Sequence, residues 1–177
     1  MAKAFGCQVW GAELAEDRRA HAREWGIPLA EWDELPGMGF HLVNTEQVFE
    51  HLVDPAGVVE QLGLSLAGGG LLKISVPTAR DIKRRLEGWD WAAPKGAPAS
   101  LNAVAPLEHL NCFNRSSLRA LAARAGLTEV DVPLGIQYRF PGDLGGVRRA
   151  IRAAVRPVFH RVLRRENYAF FRRDARS

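Results

Sequence analysis

At 177 residues, with 47% hydrophobic and 25% charged residues, the chain has the size of one cored domain and the composition of a globular protein. No apolar run approaches the ~20 residues that span a bilayer, and the first residues lack the basic-then-apolar pattern of a secretory signal. The net charge of +4 is unevenly spread: after residue 138, eleven arginines stand against Asp143, Glu166 and Asp174, so the body is mildly acidic, which argues against a nucleic-acid binder.

In chain order, Val9 to Ala12 read as a short strand that meets the acidic Glu13 and runs into a helix, "LAEDRRAHAREWG", stopped by Gly26 with Pro28 beyond. Cys7 and Cys112 lie far apart in no metal-type spacing and read as free thiols of a reducing, cytoplasmic setting. Ile27 to Ala30 suits a further short strand, and "FHLVNT", Phe40 to Thr45, a buried one. "DPAGVVEQLGLSLAGG" obeys the helix-start rules: Asp54 can cap, Pro55 suits the first helical position, and Val58, Val59, Leu62 and Leu66 supply the apolar face. Glycines 68 to 70 follow a helix and open a strand, which predicts a tight turn. A phosphate loop would open a helix instead. "LLKISVP", Leu71 to Pro77, is apolar enough to be covered on both faces.

A long irregular stretch, "GWDWAAPKGAPASLNAVAPLEHLNCFN", has the character of a lid or binding loop. Its Trp89 and Trp91 suit either stacking on a flat acceptor or covering the sheet. A helix from about Ser116 to Ala125, ended by Gly126, precedes a strand at Leu127 to Val132. A basic amphipathic helix at about 143–165, kinked by Pro157, and a final strand at about 167–172 complete the order. That helix is expected to dock on the domain's own surface or to meet an anionic membrane peripherally. Strands alternating with helices imply an α/β fold with a doubly wound, mostly parallel sheet.

"FHLVNTEQVFEHLVDPAGVVEQLGLSLAGGGLLKISVP" and "PLEHLNCFNRSSLRALAARAGL" resemble, in order and spacing, segments of class I S-adenosylmethionine-dependent methyltransferases, over about Val9 to Val132. The resemblance implies one Rossmann-like domain, core about 8–134, with S-adenosylmethionine as cofactor. It places Glu13, with Leu14 beside it, at the ribose hydroxyls, where a carboxylate can accept two protons at once. Glu31 and Trp32 fall beside the adenine, an exposed loop pair being the alternative. Asn44, Thr45 and Glu46 flank the methionine part, at the carboxyl end of a strand where open α/β sheets bind ligands. A solvated helix-start glutamate is the alternative for Glu13, and His41 stands where many relatives carry Asp. "MAKAFG" holds no glycine loop to answer Glu13, so the chain resembles such a domain without its first ~30–40 residues. The family's first strand lies between Val9–Ala12 and Phe40–Thr45. Without it, those strands are expected to pair directly, to borrow a strand from a second subunit in a homodimer, or to stay partly unfolded.

Methyl transfer from a sulfonium is an in-line displacement, to which a protein adds alignment and exclusion of water. A hydroxyl acceptor also needs a base. His51 and His109 are the candidates, each in a Glu-His-Leu triplet, and His109 is preferred for its place in the long loop. A structural, hydrogen-bonding role is the alternative for both. Two Glu-His pairs can also suggest a metal, but their separation is uninformative, and no metal is expected. The acceptor expected is a small molecule or saccharide. The rival readings are a non-catalytic remnant or partner-binding module of the same fold, and an NAD-binding Rossmann protein.

Overall fold

The computed structural model describes residues 6–77, 82–88, 90, 92–94, 97, 100–105, 108–133, 136 and 167–174. Trp89, Trp91 and the basic segment at about 143–165 lie outside the described residues. Four strands form one sheet in the order β1-β2-β4-β3: β1 Phe40–Glu46, β2 Leu66–Val76, β3 Leu127–Val130 and β4 Asn167–Arg173. The helices are α1 Glu16–Glu24, α2 Pro55–Leu64, α3 Ile82–Glu87 and α4 Arg115–Arg124. β1 and β2 are parallel, with α2 as the crossover that parallel neighbours require, while β4 runs antiparallel to β2 and β3. The fold is α/β and Rossmann-like, as expected. No helix among the described residues is long and apolar enough to cross a membrane.

The helix starts follow from their caps. Asp54 accepts from the Gly57 amide at 2.9 Å and Pro55 opens α2. At α4 the bonds are reciprocal: Asn114 Oδ1 accepts from the Ser117 amide at 2.9 Å, and Ser117 Oγ accepts from the Asn114 amide at 3.0 Å. Each such cap contributes about 1 kcal/mol.

β2 begins at Leu66, five residues before the expected Leu71. Phe40 pairs with Leu66 but Leu42 with Leu71, so β2 carries three more residues than β1 over that stretch. Glycines 68 to 70 lie in this bulge rather than in a turn before the strand. Gly69 has φ +79°, and a Cβ on Gly70 would sit 2.6 Å from the Phe40 carbonyl oxygen, so only glycine lets the two backbones approach.

With the strand period of two, Leu72, Ile74 and Val76 of β2 share a face, and Ala169 and Phe171 of β4 continue it. These side chains pack with Val59 and Leu62 of α2 and with Leu118, Leu121 and Ala122 of α4. Burying a side chain of this size contributes roughly 1.5–3 kcal/mol, so this cluster holds α2 and α4 to the sheet. On the other face, Glu46 pairs with Lys73 at 3.0 Å and accepts from Ser75 Oγ at 2.8 Å, and Lys73 lies over the Tyr168 ring.

The strands expected at Val9–Ala12 and Ile27–Ala30 reduce to one parallel bridge, Gly11 with Leu29. The Gly11 amide donates to Pro28 and the Ala30 amide to Gly11, both at 2.9 Å. Among the described residues no strand pairs with the outer edge of β1, and the Gly11 bridge does not join it.

Candidate functional site

The site begins where β1 ends. Gln47 has φ +54°, the left-handed region that costs a residue with a Cβ roughly 1–2 kcal/mol, and its amide is held by the Ser75 carbonyl at 2.9 Å. This bend turns the chain off the sheet and into a single 3-10 turn, Phe49–His51, at the carboxyl end of β1. Phe49 is fully buried and meets Phe113 edge-on, with ring centroids 6.5 Å apart. An aromatic anchor of this kind fixes where the next two side chains lie.

A second segment, Glu108 to Asn111, is fastened against that turn. The Asn111 amide donates to the Glu50 carbonyl at 3.0 Å, and Asn111 Nδ2 donates to the carbonyls of Leu52 at 2.6 Å and Phe49 at 3.4 Å. His51 Nδ1 lies 2.7 Å from the Glu108 carbonyl oxygen. That oxygen can only accept, so Nδ1 carries a proton, and in the neutral ring Nε2 keeps its lone pair.

These bonds bring Glu50, His51 and His109 together, each offering an atom within 4.8 Å of the other two. The two imidazoles meet edge-to-face with centroids 4.9 Å apart, and His51 Nε2 is 3.9 Å from Glu50 Oε1. Glu50 is 1% exposed, yet neither of its carboxylate oxygens has a hydrogen-bond partner among the described residues. His109 Nδ1 is likewise buried without one. A buried polar group left without a hydrogen-bond partner costs about 1–3 kcal/mol, a cost that packing alone does not explain. The His51 side chain is 45% exposed and opens the cluster to solvent. Two surface depressions, of about 380 and 320 Å³, lie elsewhere, over α2 beside Gly57 and Glu60.

The sequence offers His51 and His109 as alternative bases; in the fold they are neighbours. It gives Asn111 no role and presents Glu50 only as half of a Glu-His pair, where no metal is expected. The repeated Glu-His-Leu triplet was the available signal, since its second copy carries the asparagine that staples the first.

The other sequence-derived residues lie outside this cluster. Glu13 Oε1 accepts from the Leu14 amide at 2.8 Å and the Ala15 amide at 3.0 Å, at the start of α1. The Ala15 hydrogen bond is the main reason its carboxyl is held below the usual range. Oε2 has Arg18 at 3.6 Å and retains lone pairs. Leu14 is 87% exposed. Glu31 is paired with Arg19, and Trp32 packs half-buried against the core while its carbonyl accepts from Gln61. Thr45 Oγ1 donates to the Lys73 carbonyl at 3.2 Å, Glu46 is engaged by Lys73 and Ser75, and Asn44 and His41 are exposed on β1. Cys7 and Cys112 are free and exposed.

A family model described as "Methyltransferase domain" matches residues 1–132. No curated protein matches the sequence. Among solved structures, an S-adenosylmethionine-dependent methyltransferase from Mesorhizobium loti is 20% identical with a TM-score of 0.56, covering 97% of this chain and 83% of that one. One from Archaeoglobus fulgidus is 12% identical with a TM-score of 0.59, covering 97% and 79%. A cyclase shares the fold too, at 16% identity and a TM-score of 0.53, covering 94% of this chain and 66% of its own. At such identities the likeness is one of fold, and chemistry has to be argued from the site.

Proposed function

The chain belongs to the methyltransferase-domain family, and from that membership we propose that it moves the methyl group of S-adenosylmethionine to a hydroxyl of a saccharide or other small molecule at the His51–His109 pair. The observation that carries the reading is the convergence of two imidazoles at the carboxyl end of β1, one with its Nε2 lone pair set by a backbone carbonyl.

The residues present fit the cofactor in donor chemistry. Glu13 Oε2 has lone pairs left for ribose hydroxyls, the exposed Leu14 offers an apolar surface, and Asn44 is exposed for polar contact with the methionine end. When bound, S-adenosylmethionine supplies an electrophilic methyl on a sulfonium. The protein's part is to align the acceptor oxygen, keep water out, and take its proton. An imidazole that titrates near neutral pH suits that last task.

Screening hydroxylated small molecules and sugars for release of S-adenosylhomocysteine tests the reading. Turnover with one acceptor, reduced ~10²–10⁴-fold in His109→Ala with cofactor affinity unchanged, supports it. Failure to bind S-adenosylhomocysteine at all removes it and favours a non-catalytic, partner-binding use of the fold.

A further inference from the structure

We infer that Glu50, His51 and His109 hold a divalent cation of the zinc class, which positions and acidifies the acceptor hydroxyl. The acceptor half of this inference rests on the methyl-transfer reading; the cation half does not. Three separate observations converge on it. Three ligand atoms, two imidazole nitrogens and one carboxylate oxygen, already lie within 4.8 Å of one another. Ligands of one zinc ion stand at about 2.0–2.2 Å from the metal and so roughly 3–4 Å from each other, and closing the difference takes a shift of about an ångström. The exposed His51 has room for that shift.

The second observation is the state of the ligands. Glu50 is buried with both oxygens lacking hydrogen-bond partners among the described residues, and His109 Nδ1 is buried in the same condition. A cation would supply the missing partner to the carboxylate. The third is the support behind His51: Nδ1 donates to the Glu108 carbonyl at 2.7 Å, the arrangement that orients a metal-bound imidazole and leaves Nε2 for the ion. Two imidazoles and a single carboxylate select against magnesium and calcium, which take oxygen ligands.

Three protein ligands leave a tetrahedral ion one open position, and the solvent-exposed side of His51 is where it opens. A hydroxyl bound there loses its proton to water near neutral pH. The resulting oxygen forms its bond to the methyl carbon as the sulfur–methyl bond breaks, the electron pair remaining on sulfur. In this form the two imidazoles hold the ion rather than accept the proton.

The full chain, stripped with EDTA and then dialysed against zinc, is expected to retain one equivalent through gel filtration. Cobalt in its place should give the visible bands of a four- or five-coordinate site. Cys112→Ser should keep the metal, whereas Glu50→Gln, His51→Ala and His109→Asn should each weaken it by roughly tenfold or more. Circular dichroism on each variant separates a lost ligand from a lost fold, and the 45% exposed His51 is the site least needed for packing. Absence of retained zinc in the native chain, or retention by His51→Ala and His109→Asn, overturns the inference. Methyl transfer indifferent to the chelator overturns the acceptor half and returns the pair to the role of proton acceptor. Calorimetry with S-adenosylhomocysteine separates the two readings. Zinc retained without cofactor binding defeats methyl transfer and leaves the cation site standing; the converse leaves only methyl transfer.

Discussion

His51 Nδ1 donates to the carbonyl oxygen of Glu108 across 2.7 Å and 57 residues of sequence. One bond thus decides the tautomer of a side chain and ties the turn after β1 to the long loop. Nitrogen-15 NMR of the histidine rings should find the proton of the neutral His51 ring on Nδ1. A proton on Nε2 would remove both the base and the ligand reading of that nitrogen.

Asn111 is the positioning residue of the site. Asn111→Ala deletes the bonds to Leu52 and Phe49 and should destabilise the chain by about 1–3 kcal/mol in urea denaturation, the cost of leaving partly buried carbonyls unpaired. The same variant should lower zinc affinity roughly tenfold or more while cofactor affinity stays level. A loss of stability with zinc affinity unchanged would make the asparagine a structural staple only.

Glu13 has two separable tasks. Glu13→Gln keeps an oxygen for the Leu14 and Ala15 amides, so the chain's approach to α1 should hold. Glu13→Ala gives up both bonds and should cost about 0.5–1.5 kcal/mol of stability. If the carboxylate binds the ribose, both variants should weaken S-adenosylhomocysteine binding by roughly 1.5–3 kcal/mol in calorimetry. Unchanged affinity in both assigns Glu13 to the helix start alone.

A pH dependence follows from Glu129. Burial alone would raise its pKa, but hydrogen bonds from Arg115 Nε at 2.6 Å and Arg119 Nε at 2.7 Å outweigh burial and hold it below the usual range. A group with a depressed folded pKa binds protons more readily when unfolded, so its stabilisation is present above about pH 4.3 and fades as pH falls through the folded value. Thermal melts should therefore fall more steeply below that pH in the native chain than in Glu129→Gln. Parallel curves would show that the two arginines, both more than half exposed, contribute nothing measurable.

The elements most legible in the sequence were those written in local chemistry. Asp54 with Pro55 marks a helix start, and Gly126 with φ +68° marks a helix end, whatever the rest of the fold does. Glycines 68 to 70 were read as a turn because their distinguishing feature, the approach of Gly70 to the Phe40 carbonyl, depends on a strand 30 residues away. The site divided in the same manner. His51 and His109 were chosen by residue type, which composition shows. Glu50 carries no such mark in the sequence, because its burial and its unpartnered oxygens are properties of the folded chain. Val9–Ala12 has strand composition but makes one bridge, since strand propensity is expressed only where a neighbour offers a ladder.

The bonds that join the Phe49–His51 turn to Glu108 and Asn111 span 57 to 62 residues. Such a loop is entropically slow to close, and its closure becomes favourable only after α2 and β2, which lie within it, have formed. The site is therefore expected to form late in folding and, by the same reasoning, to be lost early in partial unfolding. A ligand that bridges the two ends does more than occupy the site: it ties the loop shut. Amide exchange at His51, Leu52 and Asn111 should then slow on loading far more than exchange in β2, making this knot a gauge of whether the molecule is whole.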